Sequence, residues 1–200
     1  MSFPILGLTG PSGAGKSIVA ARLQDAHGFA WIDTDAVYHE LTSSPSPCLD
    51  ELATAFGTGI IKDGALDRKA LAAIVFAPDA KDKLELLNRI THKHVLAVTA
   101  QRVELAKQRT AAGAIIDAPL LFESGAHQSC THTLAVLADR QTRLVRIVAR
   151  DGLSHAQAKA RIDAQKPDTF YSQRADFIIE NNGDVQAVHG RTDALAKELL

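Results

Sequence analysis

Short apolar segments alternate along the chain with longer segments whose apolar residues recur at helical spacing. Ile5–Thr9 is apolar and precedes a glycine-rich turn, so it predicts a buried strand. Residues 16–26 carry apolar side chains at helical spacing, and Gly28 predicts the end of that helix. Phe29–Asp33 predicts a second strand. Strand, helix and strand in this order predict a βαβ unit with parallel strands.

The middle of the chain has a different pattern. From residue 49 to residue 109 it is mostly helical, and no segment is typical of a core strand. Because a crossover connection needs only about a dozen residues, we interpret residues 45–110 as a helical insertion beside the sheet. Its main helices are predicted over Asp67–Phe76 and Ala80–Lys107, and a surface loop is predicted over Ser43–Pro47.

The second half of the chain returns to the alternating pattern. Strands are predicted over residues 114–117, 133–137 and 175–179, and helices over residues 140–150, 154–165 and 185–200. Strands that alternate with helices predict an α/β fold with a mostly parallel five-stranded sheet. We expect residues 1–200 to form a single domain with the insertion as a sub-region.

Composition restricts the classes of function. The net charge of −1 gives no reason to expect a nucleic acid or an acidic membrane as partner. The sequence has no run of 18 apolar residues, and Met1-Ser2-Phe3-Pro4 has no positive charge before an apolar stretch, so neither a membrane span nor a signal peptide is expected. Cys48 and Cys130 are expected to be reduced thiols. We therefore expect a cytoplasmic protein. A monomer or weak oligomer is also expected, although the composition does not determine the oligomeric state.

The strongest chemical signal follows the first strand. Residues 10–17 read Gly-Pro-Ser-Gly-Ala-Gly-Lys-Ser and fit G-x-x-x-x-G-K-[ST]. In such a loop the main-chain N–H groups surround phosphate oxygens at a helix N-terminus, Lys16 reaches the β- and γ-phosphates, and the Ser17 hydroxyl binds Mg²⁺. A glycine turn that only joins a strand to a helix would not need this lysine and serine. The expected nucleotide-binding residues are Gly10, Ser12, Gly13, Ala14, Gly15, Lys16, Ser17 and Ile18.

Acidic residues lie where predicted strands end. Asp33 and Asp35 would point to the same side if the second strand stayed extended, and one carboxylate could then accept a proton from an attacking hydroxyl. The other could hold a water of Mg²⁺ or the acceptor sugar; for Asp33 a helix cap is an equal alternative. Asp117 could support Mg²⁺ through water or form a turn before Pro119, and Glu123 could bind substrate or be a surface charge.

Arginines recur along one predicted helix, at positions 140, 143, 146 and 150, and Arg161 follows on the next. Arginines on a closing segment can stabilise the charge of a phosphoryl group in transfer. A solvated basic face is the alternative. We interpret residues 139–166 as a lid and favour Arg146 and Arg150 as its catalytic pair. His92 and His94 do not share a helix face, so no metal site is expected there.

Taken in order, these segments resemble the dephospho-coenzyme A kinase family from Ile5 to about Gly183. The segments that carry the resemblance are Leu8-Thr9-Gly10, Ile32-Asp33-Thr34-Asp35 with His39, Asp63–Arg68, Pro119–Glu123, Arg150-Asp151-Gly152, Arg161–Gln165 and Ala175–Gly183. The resemblance implies a P-loop NTPase three-layer sandwich with a coenzyme A-binding helical region and a lid. It implies transfer of the γ-phosphoryl group of ATP, with Mg²⁺, to the ribose 3′-hydroxyl of dephospho-coenzyme A.

The resemblance also assigns roles to residues. It implies that Asp35 is the catalytic base and that the lid arginines are those of residues 140–150. Expected substrate contacts are Asp33, His39, Arg68, His92, Leu120, Glu123 and Arg161, and Asn181-Asn182 is the expected neighbourhood of adenine. Two positions depart from the family: Lys93 stands where a proline is common, and Pro11-Ser12 where glycine and an aliphatic residue are usual. Proline lacks an N–H, so one potential phosphate donor is lost.

Two other classes of function stay open on the sequence. Another small-molecule kinase, of the nucleoside monophosphate or shikimate type, would share the phosphate loop but not the long helical middle. A nucleotide-dependent switch would share the loop as well, but the sequence has no Asn-Lys-x-Asp segment that would select guanine.

Overall fold

A computed structural model describes residues 3–200 of the chain, so Met1 and Ser2, where the absence of a signal peptide was predicted, lie outside the described residues. The strands are β1 Ile5–Thr9, β2 Phe29–Asp33, β3 Ile61–Lys62, β4 Ala65–Leu66, β5 Gly113–Asp117, β6 His132–Leu137 and β7 Phe177–Glu180. The helices are α1 Lys16–His27, α2 Thr34–Ser43, α3 Pro47–Phe56, α4 Arg68–Val75, α5 Lys81–Gln108, α6 Arg140–Asp151, α7 His155–Asp163, α8 Asp168–Ser172 and α9 Val185–Leu199.

Five strands form one sheet in the order β2-β5-β1-β6-β7. β1 pairs in parallel with both β5 and β6, and β6 pairs in parallel with β7. The register places Leu8 of β1 beside both Asp117 of β5 and Leu134 of β6. The predicted α/β fold with a mostly parallel five-stranded sheet is therefore confirmed.

The core of the first compact unit, residues 3–32 with 103–200, lies between this sheet and the helices α1 and α9. Leu6, Leu8, Ile115 and Leu134 of the central strands are fully buried. They pack with side chains of α1 and α9 that recur at helical spacing: Val19, Ala20, Leu23, Val188, Leu195 and Ala196. The same apolar periodicity that predicts these elements therefore provides their packing.

Residues 33–102 form a second compact unit with a core of its own. Cys48 and Leu52 of α3 pack there with Ile60, Leu71 and Ile90. Between α3 and α4 the chain makes a two-stranded antiparallel hairpin, β3-β4, that the sequence analysis did not predict. Its turn residues, Asp63 and Gly64, both have positive φ, 53° and 78°, as a two-residue hairpin turn requires.

The packing of the core in residues 33–102 leads to a prediction about the free energy of unfolding. Leu52→Ala should lower the free energy of unfolding by about 2–5 kcal/mol, because the fully buried side chain leaves a cavity that neighbouring side chains fill only in part. Chemical denaturation followed by circular dichroism measures the change. Leu105→Ala is the control, since Leu105 is 48% exposed and its loss should cost much less. Equal effects of the two substitutions would contradict the assigned core.

Candidate nucleotide-binding and catalytic site

The phosphate loop connects β1 to α1 and is packed closely against its surroundings. Gly10, Gly13 and Gly15 have φ values of 142°, 80° and 93°, which side chains other than glycine rarely adopt. A Cβ atom on Gly10 would lie 2.1 Å from the carbonyl oxygen of Val136, and one on Gly15 would lie 2.2 Å from Nδ2 of Asn181. The glycine spacing is thus needed for the backbone conformation and for the close approach of neighbouring segments.

Some N–H groups of the loop and the first turn of α1 have acceptors inside the protein, and others point out from the start of the helix. Three of them are used inside the protein: Ala14 donates to the carbonyl of Pro11, Ile18 to that of Gly15, and Ser12 to Oε1 of Gln165. At the start of α1, the N–H groups of Lys16 and Ser17 have no acceptor within the helix and carry its partial positive charge. Lys16 Nζ donates to the carbonyl of Gly10 over 3.2 Å, so its ammonium group lies across the loop.

A buried asparagine holds the inner side of the loop. Asn181 follows β7 and is fully buried, and its Nδ2 donates to the carbonyl of Ala14 over 2.8 Å. Its own N–H donates to the carbonyl of Leu137 over 2.7 Å, which fixes the residue to the end of β6. The sequence predicts contact of this neighbourhood with adenine; in the structure the side chain of Asn181 bonds to the carbonyl of Ala14 in the phosphate loop.

Arg146, one of the two favoured lid arginines, is bonded to the same asparagine. It donates to the carbonyl oxygen of Asn181 over 2.9 Å and to its Oδ1 over 3.1 Å. A longer contact of 3.4 Å reaches the carbonyl of Gly13. The guanidinium group of Arg146 therefore lies directly at the phosphate loop.

Arg143 is one of two arginines of this helix that were not favoured as catalytic, and it is only 5% exposed. Its Nε donates to the carbonyl of Ser12 over 3.0 Å, and its Nη2 donates to Oε1 of Gln165 over 2.6 Å. Burial lowers the pKa of Arg143, and the carboxylate of Asp168, 3.4 Å away, opposes that change. Arg143 is therefore a buried component of the site. The spacing of the arginines in the sequence does not distinguish it from the exposed arginines of the same helix.

Arg150 and Arg161 share one carboxylate. Arg150 donates through Nε to Asp151 over 2.7 Å, and Arg161 contacts the other oxygen of the same group. These hydrogen bonds, chiefly the one from Arg150, lower the pKa of Asp151 to about 2. Arg150 also reaches Oγ of Ser12 over 3.4 Å. Both side chains are substantially exposed, so they differ from Arg143 in their surroundings.

The acidic pair does not have the geometry that an extended strand would give. The helix α2 begins at Thr34, and Oδ1 of Asp33 accepts the N–H groups of Asp35 and Ala36 over 2.8 and 3.2 Å. Asp33 is thus the N-cap, the alternative named for it, because its carboxylate satisfies two N–H groups that lack helical acceptors. Asp35 lies in the first turn of α2 and is exposed. The chain is therefore not extended through Asp35, and the expectation that the two carboxylates point to the same side, which required an extended strand, does not apply.

Other candidate substrate residues lie within residues 33–102. His39 contacts Nη2 of Arg68 through Nδ1 over 2.9 Å, and the Arg68 guanidinium lies 5.6 Å from the ring centre of Tyr38. His92 is half-buried on α5, and burial lowers its pKa. His94 instead contacts Glu51, which also accepts from Lys93. Among residues 3–200, no cluster of three or more histidine, cysteine or acidic side chains is arranged to hold a metal ion.

The remaining candidates follow β5. Asp117 ends this strand and is buried, and the hydroxyl of Thr9 donates to the carbonyl of Pro119 over 3.3 Å, so the turn after β5 is attached to the end of β1. Leu120 is 51% exposed and Glu123 is exposed in the same turn. No helix within the described chain has the length and apolar character that crossing a membrane requires.

A phosphate loop between the first strand and first helix of a mostly parallel sheet defines the class, a P-loop nucleotide-binding protein. Shikimate kinase from Acinetobacter baumannii has the same fold, with a TM-score of 0.55 at 14% identity over 98% of this chain and 93% of that one. The family model described as dephospho-CoA kinase matches residues 4–187, and the chain belongs to this family, which catalyses the final step of coenzyme A biosynthesis.

Individual relatives agree with the family model. Dephospho-CoA kinase of Moorella thermoacetica is 41% identical over 197 residues, which cover 98% of this chain and 92% of the relative. The solved structure of dephospho-CoA kinase from Campylobacter jejuni has a TM-score of 0.68 at 26% identity, with 97% and 96% of the two chains covered. The resemblance stated from the sequence segments is therefore confirmed.

The contacts of Asn181 with the phosphate loop lead to a prediction about stability. Asn181→Ala should lower the free energy of unfolding by about 1–3 kcal/mol, because it leaves the buried carbonyl of Ala14 and part of the Arg146 guanidinium without their partner. Urea denaturation measures the change. Asn182→Ala is the neighbouring control: its side chain accepts only at an exposed position, from the N–H of Asp139, where water can replace it. A loss no greater at 181 than at 182 would contradict the proposed packing.

Proposed function

We propose that this chain transfers the γ-phosphoryl group of ATP to the ribose 3′-hydroxyl of dephospho-coenzyme A. The observation that carries the proposal is the phosphate loop itself, with Lys16 lying across it and Arg146 bonded to its main chain, in a chain of this kinase family. The transferring group is anionic throughout, so positioning and positive charge are the main contributions that a protein can make.

ATP binds through the loop. The N–H groups at the start of α1 and the ammonium group of Lys16 surround the β- and γ-phosphates. When bound, Mg²⁺ would be held by the Ser17 hydroxyl and, through a water, by Asp117, and it would neutralise part of the phosphate charge. A hydroxyl and a carboxylate suit Mg²⁺, which binds few protein ligands and keeps several waters. Ser17 is exposed at the second position of α1, so its hydroxyl is accessible to such an ion.

Asp35 is the proposed catalytic base. It follows β2 as the phosphate loop follows β1, and ligands of open α/β sheets bind beyond the carboxyl ends of the strands. Asp35 is exposed in the first turn of α2, and Asp33 caps the same helix through Oδ1. Asp35 thus accepts the proton of the 3′-hydroxyl as the phosphorus–oxygen bond forms, and ADP leaves.

The remaining candidates have supporting roles in this proposal. Arg146 and Arg150 stabilise the charge on the transferred group, and residues 139–166 act as the lid. Residues 45–110 provide the coenzyme A-binding region, and contacts to the acceptor come from Asp33, His39, Arg68, His92, Leu120, Glu123 and Arg161. The pairing of His39 with Arg68 supports a joint role for these two in binding an anionic acceptor. We place the reaction in the cytoplasm and expect a monomer or weak oligomer.

An acceptor panel tests the reaction. ADP release should occur with ATP and dephospho-coenzyme A, and the product should carry the new phosphate on the 3′-oxygen by phosphorus NMR. Shikimate and nucleoside monophosphates are the comparison acceptors and should give less than about 1% of that rate, because each lacks most of the groups of dephospho-coenzyme A and would leave polar groups of an acceptor site unpaired. Turnover of either comparison acceptor at a higher rate than dephospho-coenzyme A would reject the proposal.

Asp35→Asn tests the base. The substitution should lower kcat by about 10²–10⁴-fold, because the amide cannot accept the proton, while KM for ATP stays within about threefold. Asp50→Asn is the matched control, since Asp50 also lies in the first turn of a helix, α3, and is exposed. A wild-type kcat in Asp35→Asn would assign the base to another residue.

A further inference from the structure

Ser12 is bonded to residues 139–166 through every polar group that it has. Its carbonyl accepts from Nε of Arg143, its N–H donates to Oε1 of Gln165, and its hydroxyl contacts Nη2 of Arg150. Arg143 and Arg150 come from α6, and Gln165 lies two residues beyond the end of α7. The outer turn of the phosphate loop, residues 11–13, is thus attached to one distant segment of the chain.

Ser12, Arg143 and Gln165 are each hydrogen-bonded to the other two. Oε1 of Gln165 accepts from both the Ser12 N–H and Nη2 of Arg143, over 3.2 and 2.6 Å. Arg143 is almost completely buried, so its guanidinium group depends on these acceptors and on Asp168, 3.4 Å away. Removing one member leaves polar groups of the others without a partner in a site that water reaches poorly.

The backbone of α6 lies against the same turn. A Cβ atom on Gly13 would lie 2.8 Å from the carbonyl oxygen of Arg143 and 3.0 Å from its Cα atom. Pro11 has a fixed φ and no N–H, so it cannot donate to a phosphate. The Ser12 N–H is bonded to Gln165. The outer turn therefore contributes little direct binding of phosphate through residues 11 and 12, and its effect on the nucleotide depends on where it holds the rest of the loop.

We propose that Arg143 and Gln165 are positioning residues for ATP: they fix the outer turn of the phosphate loop so that the N–H groups at the start of α1 face the phosphates. The inference rests on the proposed function only in taking ATP as the nucleotide. It gives Ser12 the role of the attachment point in place of the phosphate contact expected from the sequence. Neither Arg143 nor Gln165 needs to touch the nucleotide for this role.

The test measures nucleotide binding without the acceptor. Arg143→Lys keeps the positive charge but has one nitrogen in place of the two, Nε and Nη2, that bond to Ser12 and Gln165. Gln165→Leu keeps the size but removes the oxygen acceptor. Each should raise Kd for ATP, measured by isothermal titration calorimetry, by about tenfold, the effect of losing one or two hydrogen bonds to a charged or buried group. The double variant should weaken binding by much less than the product of the two, because both substitutions release the same turn.

Matched controls lie nearby in the sequence. Arg174→Lys and Gln173→Leu make the same changes at exposed positions at and beyond the end of α8, and both should leave Kd within about twofold. In steady-state assays the two test variants should raise KM for ATP and leave KM for dephospho-coenzyme A within about twofold. Circular dichroism and thermal unfolding identify the folded variants, and Gln165→Leu is expected to fold because Gln165 is half-buried and lies outside the apolar core.

Two results would overturn the inference. One is a wild-type Kd for ATP in folded Arg143→Lys and Gln165→Leu; the other is an equal increase of KM for both substrates, which would indicate a general loss of structure. Because binding of ATP is measured alone, absence of turnover with dephospho-coenzyme A would reject the proposed reaction and leave this inference standing.

Discussion

A loop that turns its N–H groups toward an anion turns its carbonyl groups away from it, and those carbonyls need hydrogen-bond donors of their own. In this chain the donors are side chains from distant segments. The carbonyl of Ala14 accepts from Asn181, and that of Ser12 accepts from Arg143. The carbonyl of Gly10 accepts from Lys16, within the loop itself. Residues at the ends of β6 and β7 and on α6 therefore stabilise the side of the phosphate loop that carries its carbonyl groups. The geometry of the site depends on these hydrogen bonds.

The arrangement also explains why the sheet matters for the site. Asn181 is fixed by its bond to Leu137 at the end of β6, and β6 pairs with β1, the strand that leads into the loop. Strand register and loop conformation are thus linked through one buried side chain. A shift of β6 relative to β1 would move Asn181 away from Ala14, so the packing of the central strands is a condition for nucleotide binding.

The sequence predicts well those elements that are determined by residues close together in the chain. β1, the phosphate loop and α1 lie within some twenty residues, and their glycine spacing and apolar periodicity are enough to place them. The contacts of the loop are different, because their partners lie up to 167 residues apart in sequence. Arg143 and Arg150 belong to the same run of arginines, yet one is 5% exposed and the other is largely accessible. Periodicity shows that they share a helix, and only the packing of α6 on the loop distinguishes them.

Two smaller differences have local causes. Asp33 and Asp35 were considered as a pair on an extended strand, but a carboxylate that follows a strand and precedes a helix is a good N-cap, and that bond starts α2 at Thr34. The hairpin β3-β4 was missed because each of its strands has only two residues, too few for alternation to be visible. The signal that could have found it is Asp63-Gly64, a pair favoured in two-residue hairpin turns.

The half-buried thiol of Cys130 has a consequence for how the protein reacts with oxidants. Burial raises the pKa of this thiol to about 12, and a Cβ atom on Gly7 of β1 would lie 2.8 Å from its sulfur. Burial also raises the pKa of Cys48, in the core of residues 33–102. Since the thiolate is the reactive form, neither cysteine presents a nucleophile near neutral pH. Near neutral pH both thiols should therefore react slowly with alkylating reagents.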